Sequence, residues 1–198
     1  STSKNVVEVA IDLVKIQNDK VQVSVKPTKV STQTVTFQLP KIIPGTYAIA
    51  DYGRYIDDFK ALDKSGNSLT VTKQDDNTWV ISNAGQLDKV TYLVNDTFDS
   101  ETGGAFSEGT NILEGKQFML NMAGFVGYFE NQKDTPYHIT INHPAELTGT
   151  SAMDDMDNSA TTDVFNSPRY ADVVDSPIMY AAPDIASFTT GGMKVVLH

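Results

Sequence analysis

Three groupings in the 198-residue sequence have residue types that do chemistry: the histidines, an acidic run and a proline-bounded corner. The three histidines are His138, His143 and His198. Zinc hydrolysis needs two histidines on one side of a metal, which the helical H-E-x-x-H spacing achieves with its Glu as base. That motif is absent, and His138 and His143, five residues apart on an apparent strand, are expected to face opposite sides of a sheet. Surface or strand-end roles follow for both. The run Asp154-Asp155-Met156-Asp157-Asn158 clusters the oxygens that hard cations prefer. An EF-hand loop counted from Asp155 would need Gly and Glu where Ala160 and Asn166 stand, so the run reads as a solvated acidic loop. The absence of Cys removes thiol catalysis and thiolate metal sites, and neither G-x-S-x-G nor G-x-x-x-x-G-K-[ST] occurs. On these residues the chain is expected to hold no catalytic centre, metal or cofactor of its own.

The third grouping is conformational. Pro40-Lys41-Ile42-Ile43-Pro44-Gly45-Thr46-Tyr47 stops a strand, since two prolines cannot donate to a ladder and Gly45 permits a tight turn. Ile49 and then Asp51-Tyr52-Gly53-Arg54-Tyr55 follow. Aromatic, guanidinium and carboxylate groups on a rigid corner suit a binding edge. The same residues equally suit a packed β-corner whose tyrosine hydroxyls bond to backbone.

The elements that would position these groups read as strands. Lys20–Lys26 alternates apolar and polar residues with period two, as do Val7, Val9, Ile11 and Leu13 before it and Thr34–Leu39 after it. Asn18-Asp19, a pair that tolerates positive φ, joins the first two, and the three are expected to form a meander. Phe59 and Ala61, the turn Lys64-Ser65-Gly66-Asn67, then Leu69, Val71 and Lys73 signal a hairpin. Thr78–Ile81, Lys89–Val94, Tyr137–Ile141 and Met193–Leu197 supply further strands. Helix is confined to Pro168–Val174, with Ser167 as the expected N-cap. Residues 96–116, with Gly103-Gly104, Gly109 and Gly115, read as a long loop or distorted hairpin. The expected fold is all-β, an antiparallel β-sandwich or saddle-like β-domain with very little helix, and residues 1–198 are expected to form one domain.

Composition agrees. With 40% hydrophobic and 20% charged residues, a chain of this size buries roughly 70% of its unfolded surface. The net charge of −10 is uneven, +3 over residues 1–73 and −13 over residues 74–198, which opposes nucleic-acid binding. No apolar run approaches the ~20 residues of a membrane span. The chain begins Ser1-Thr2-Ser3 without Met, so a processed protein or a piece of a longer one is expected.

The order of these features resembles a known family. Pro40-x-x-x-Pro44-Gly45-x-Tyr47-x-Ile49, Tyr52-x-Arg54, Phe59-x-Ala61, Lys73 with Trp79, and Tyr92 are similar to the N-terminal domain of glycyl aminopeptidase-type zinc metallopeptidases, of the thermolysin-like clan. There the strand end reads P-x-W-x-P-G-S-Y; here Lys41-Ile42-Ile43 replaces the Trp segment and Thr46 the Ser. Tyr170–Ile178 resembles the family's approach to its catalytic domain. The likeness spans about residues 35–178.

The resemblance implies a non-catalytic β-domain that docks on a zinc-bearing catalytic domain of the same parent chain and shapes its peptide cleft. A PDZ-like domain commonly follows. Zinc, held by two His and a Glu, would lie outside this chain, which alone is not expected to be an enzyme. Tyr47, Asp51, Tyr52, Arg54, Asp175, Ser176 and Pro177 are the expected inter-domain or cleft edge, and a periplasmic, cell-envelope or secreted location goes with it. The competing expectation is a free-standing carbohydrate- or protein-binding module using Tyr47, Tyr52, Tyr55 and Phe106.

Overall fold

The computed structural model describes residues 5–42, 49–96, 111–113, 116–157, 159–182, 186–190 and 193–197, the last two stretches as backbone alone. In chain order the strands are β1 (Val7–Gln17), β2 (Lys20–Lys26), β3 (Thr34–Gln38), β4 (Ile56–Asp63), β5 (Val71–Asp75), β6 (Thr78–Ser82), β7 (Leu87–Asn95) and β8 (Asn111–Leu113). They continue as β9 (Gln117–Leu120), β10 (Tyr128–Phe129), β11 (Tyr137–Asn142), β12 (Thr148–Ser151), β13 (Thr162–Ser167), β14 (Ile178–Ala181), β15 (Ala186–Thr190) and β16 (Met193–Leu197). Among the described residues the α-helices are two single turns, α1 (Met122–Phe125) and α2 (Tyr170–Val174). The fold is all-β.

A six-stranded sheet runs β13-β11-β1-β2-β7-β4, antiparallel except where β1 lies parallel to β11. Period-two burial builds it: Val7, Val9, Ile11 and Leu13, then Val21, Val23 and Val25, then Val90, Tyr92 and Val94 all point inward. The Asn18-Asp19 turn takes positive φ at both positions, 52° and 56°, which matches the right-handed twist of the β1–β2 hairpin. A second sheet, β10-β3-β6-β5, supplies Phe37, Trp79 and Ile81 to the same core, and a third, β12-β14-β9-β8, supplies Phe118, Leu120, Ile178 and Tyr180. The β15–β16 hairpin is a separate two-stranded sheet.

Three expectations need correction. The meander does not form: both edges of β2 are taken, by β1 and β7, and β3 pairs instead with β6 and β10 in the second sheet. The hairpin at Lys64–Asn67 does close, with the Asn67 carbonyl accepting from Asp63 N–H at 2.9 Å and the Ala61 carbonyl from Leu69 N–H at 2.8 Å. Beyond Leu69, however, its arms part, β4 to the first sheet and β5 to the second. Ser167 does not cap the helix: its hydroxyl donates to the Arg169 carbonyl, Arg169 takes the N-cap position and the helix starts at Tyr170. Of the segment 96–116, the β8 strand and the start of β9 beyond it fit a hairpin; residues 97–110 and 114–115 lie outside the described residues.

The first two sheets meet through aromatic rings. Phe59 of β4 stacks on Trp79 of β6, centroids 4.7 Å apart at 14°, and on Tyr92 of β7 at 6.1 Å, while Phe37 of β3 lies 5.7 Å from Tyr92 and 5.1 Å from Phe129. Offset stacked and tilted rings at these spacings add to the area they bury. Lys73 is the cross-strand partner of Trp79, its Nζ 5.5 Å from the ring.

Candidate functional site

The corner expected from the prolines is built by backbone bonds. The Lys41 carbonyl accepts from Ala50 N–H at 2.9 Å and from Asp51 N–H at 3.3 Å, and Ile42 bridges to Ile49. Both isoleucines are exposed, Ile49 to 69%. Pro44, Gly45, Thr46 and Tyr47 lie outside the described residues. Asp51 adopts the left-handed region at φ 46°, which Asp tolerates better than most residues, and it leads into a 3₁₀ turn over Tyr52–Tyr55.

Asn77 fixes that turn. Its side chain donates to the Asp51 carboxylate at 2.9 Å and accepts from Gly53 N–H at 2.9 Å, while its backbone carbonyl accepts from Leu39 N–H. Asn77 is only 6% exposed, so this amide spends its hydrogen-bonding capacity inside the protein. Gly53 is needed because a Cβ there would collide with the Asp76 carbonyl. Arg54 is exposed, its guanidinium carbon 4.8 Å from the Tyr55 ring centroid.

Tyr52 points the other way. It is 5% exposed, and its hydroxyl accepts from the Asn121 side chain at 2.8 Å. Asn121 also caps α1 by accepting from Ala123 N–H. Two further tyrosines grip the same stretch: Tyr92 donates to the Phe125 carbonyl at 2.6 Å and accepts from Gly127 N–H at 3.1 Å, and Tyr170 donates to the Val126 carbonyl at 2.6 Å. Burial pushes the hydroxyls of Tyr92 and Tyr170 well above the ordinary tyrosine range. The segment 121–127 is thus a short, mostly buried clamp point whose helix α1 contacts both the 3₁₀ turn and α2.

Asp175, Ser176 and Pro177 leave α2 directly. Asp175 N–H donates to the Ala171 carbonyl, and the Ser176 hydroxyl donates to the Asp172 carbonyl at 2.9 Å. Asp175 and Pro177 are exposed and Ser176 half-buried. The 3₁₀ turn over Tyr52–Tyr55 and the helix α2, from which Asp175–Pro177 lead out, thus both contact α1. Asn77, Asn121 and Gly127 escaped sequence reading. In sequence nothing separates Asn77, which follows Asp75-Asp76, from an ordinary turn residue, and nothing in Asn121–Gly127 marks a clamp except two glycines.

The acidic run lies beside a separate cavity of about 560 Å³. Asp155 accepts from Val164 N–H at 2.8 Å and Asp157 N–H at 3.0 Å, which organises the loop against β13. Beneath it, the Asp163 carboxylate meets His143 Nε2 at 3.3 Å and accepts from the Tyr180 hydroxyl at 2.5 Å, with His143 Nδ1 2.9 Å from the Pro144 carbonyl. Burial and this carboxylate raise the Tyr180 hydroxyl pKa strongly. His143 is thus a buried strand-end residue, His138, the second residue of β11, is half-buried beside Asn166 at 2.7 Å, and His198 lies outside the described residues. Among the described residues no three His, Asp or Glu side chains are grouped to hold a metal ion, and no helix is long and apolar enough to cross a membrane. Of the aromatics expected for a free-standing binding module, Tyr47 and Phe106 lie outside the described residues and Tyr52 is in the core.

The fold recurs in proteins of known structure. An aminopeptidase N family protein from Idiomarina loihiensis superposes with a TM-score of 0.76 at 21% identity, over 96% of this chain and 32% of that one. A point mutant of the M1 zinc metallopeptidase from Deinococcus radiodurans gives 0.50 at 10% identity, over 98% of this chain and 46% of that one. At such identities the likeness is one of fold, and this chain spans about a third to a half of the length of either protein. No curated protein matches it. The family model for the Peptidase M61 N-terminal domain matches residues 8–182, from the second residue of β1 to just past β14 and so through all three larger sheets, and the chain belongs to that family.

Proposed function

We propose that this domain packs on the catalytic domain of a zinc aminopeptidase of the glycyl aminopeptidase type and walls one side of its peptide cleft. The observation that supports the reading is the clamp: Tyr52 and Tyr170, from segments over a hundred residues apart, are both tied to Asn121–Val126, and in this reading they anchor 51–54 and 175–177 as one border. A border that limits entry to a cleft has to be rigid, because misplacing a substrate by an ångström costs orders of magnitude in rate. In this reading Tyr47, Asp51, Arg54, Asp175, Ser176 and Pro177 face the neighbouring domain or the substrate, and Tyr52 supports them from behind. The zinc, its two His and Glu ligands and the activated water belong to the adjoining domain, with a PDZ-like domain beyond. The parent works in the periplasm, the cell envelope or outside the cell.

The test is made on the full-length gene product. It should release N-terminal residues from short peptides in a reaction abolished by a metal chelator and restored by zinc. Arg54→Ala and Asp175→Ala in that protein should shift KM or kcat/KM by about tenfold, roughly 1.4 kcal/mol, while the melting temperature holds. A downstream sequence without H-E-x-x-H, or chelator-insensitive hydrolysis, sinks the reading.

A further inference from the structure

Among the described residues the strands of the β15–β16 hairpin pair only with each other, in the register Ala186 to Leu197, Ser187 to Val196, Phe188 to Val195, Thr189 to Lys194 and Thr190 to Met193. The register puts Ala186, Phe188 and Thr190 opposite Leu197, Val195 and Met193 on one side of the ribbon, five of the six apolar, and Ser187 and Thr189 opposite Val196 and Lys194 on the other. A two-stranded hairpin is marginal in water without a third strand or a packed face, and among the described residues no strand pairs with either of its outer edges. The family match stops at residue 182, before β15 begins. The superposition on the Idiomarina loihiensis protein takes in 96% of this chain, which leaves too few residues unmatched to omit the whole hairpin. At least part of the hairpin therefore has a counterpart within a chain about three times as long.

We propose that β15–β16 is an unfinished sheet that receives a further strand, and cover for its Ala186, Phe188, Val195 and Leu197 column, from the adjoining domain of the parent chain. This rests on the reading that such a domain exists. The hairpin is then the seam itself: the three larger sheets close on their own core, and the ribbon after them belongs structurally to the neighbour. Edge pairing supplies main-chain hydrogen bonds while the apolar column sets the register, as in strand addition generally.

Amide hydrogen exchange on the 198-residue chain and on the full-length product, with thermal melting of residues 1–182, tests it. Expected are exchange at Ser187–Val196 within about seconds to minutes in the 198-residue chain, as for locally opening segments, and at least ~100-fold slower exchange there in the full-length protein. The 1–182 chain should melt as cooperatively as the 198-residue chain. Protection of Ser187–Val196 equal to that of β1 in the 198-residue chain overturns the proposal, as does unprotected exchange in the full-length protein. Protection that appears only as the 198-residue chain dimerises also overturns it, since a second copy is then the occupant. A full-length protein that protects the hairpin but cleaves no peptide refutes the proposed function and leaves this inference standing.

Discussion

Replacing Tyr92 by Phe isolates what the clamp contributes. The ring stays, and with it the contacts to Phe37 and Phe59, so no cavity opens. What goes is one hydroxyl that donates to the Phe125 carbonyl at 2.6 Å and accepts from Gly127 N–H at 3.1 Å. Both partners are buried and would be left without a bond, at about 1–3 kcal/mol for each orphaned group. Relaxation is limited, because a Cβ at Gly127 would already strike the Phe37 ring, so the chain has no room to turn toward other partners. A loss of about 2–4 kcal/mol is expected, or roughly 6–12 °C in melting temperature for 3 kcal/mol in a chain this long. Urea unfolding followed by the fluorescence of Trp79, the sole tryptophan and 3% exposed, reads it directly. Tyr170→Phe removes a single bond to the adjacent Val126 carbonyl and should cost about 1–2 kcal/mol. Because both hydroxyls act on one short segment, the double variant should depart from additivity by at least ~0.5 kcal/mol. If Tyr92→Phe lies within about 0.5 kcal/mol of wild type with an unchanged denaturant slope, Asn121–Gly127 is not held by its tyrosines and the rigidity argued for the border is lost.

The same hydroxyls give an alkaline signature. Burial raises Tyr92, Tyr137, Tyr170 and Tyr180 above the ordinary value near 10, so the stability they contribute is complete below about pH 10 and is lost as pH rises beyond it. Of the eight tyrosines, these four should therefore ionise, by absorbance near 295 nm, only together with the cooperative loss of Trp79 fluorescence; independent early titration of all eight refutes it. Asn77→Ala frees Gly53 N–H and the Asp51 carboxylate together and should cost about 1–3 kcal/mol, with faster amide exchange confined first to Tyr52–Arg54; exchange unchanged there would show that the Asn77 amide does not hold the turn.

Sequence reading served the strands best. Val7–Leu13, Lys20–Lys26 and Tyr137–Ile141 each bury one face, and period-two alternation records that directly. The same reading failed on which strands pair. Nothing local distinguishes β3 beside β2 from β3 in a second sheet, because the choice is made by β7 arriving from far along the chain to take the free edge of β2. The strands of the third sheet were missed for a related reason: β12, Thr148–Ser151, carries a glycine and no large apolar residue, and it exists because β14 offers it an edge. At the candidate site the prolines and Asp51–Arg54 were visible as punctuation. The polar residues that hold them, Asn77 and Asn121, were not, since an asparagine that bonds across 26 or 69 residues looks in sequence like one that turns a loop.

The residues that made the family resemblance visible turn out to be chiefly those that hold the fold. Phe59, Trp79 and Tyr92 form the stacked column between the first two sheets, Lys73 lies over Trp79, and Tyr170 anchors α2 to the clamp. Trp79, Tyr92 and Tyr170 are buried in the core and Phe59 is half-buried, so the likeness reports an architecture before it reports an activity. The exposed residues riding on that frame include Ile42, Ile49, Arg54, Asp175 and Pro177. Exchanging those five between two relatives of different peptide preference should carry the preference across, and exchanging the aromatic column should carry only stability.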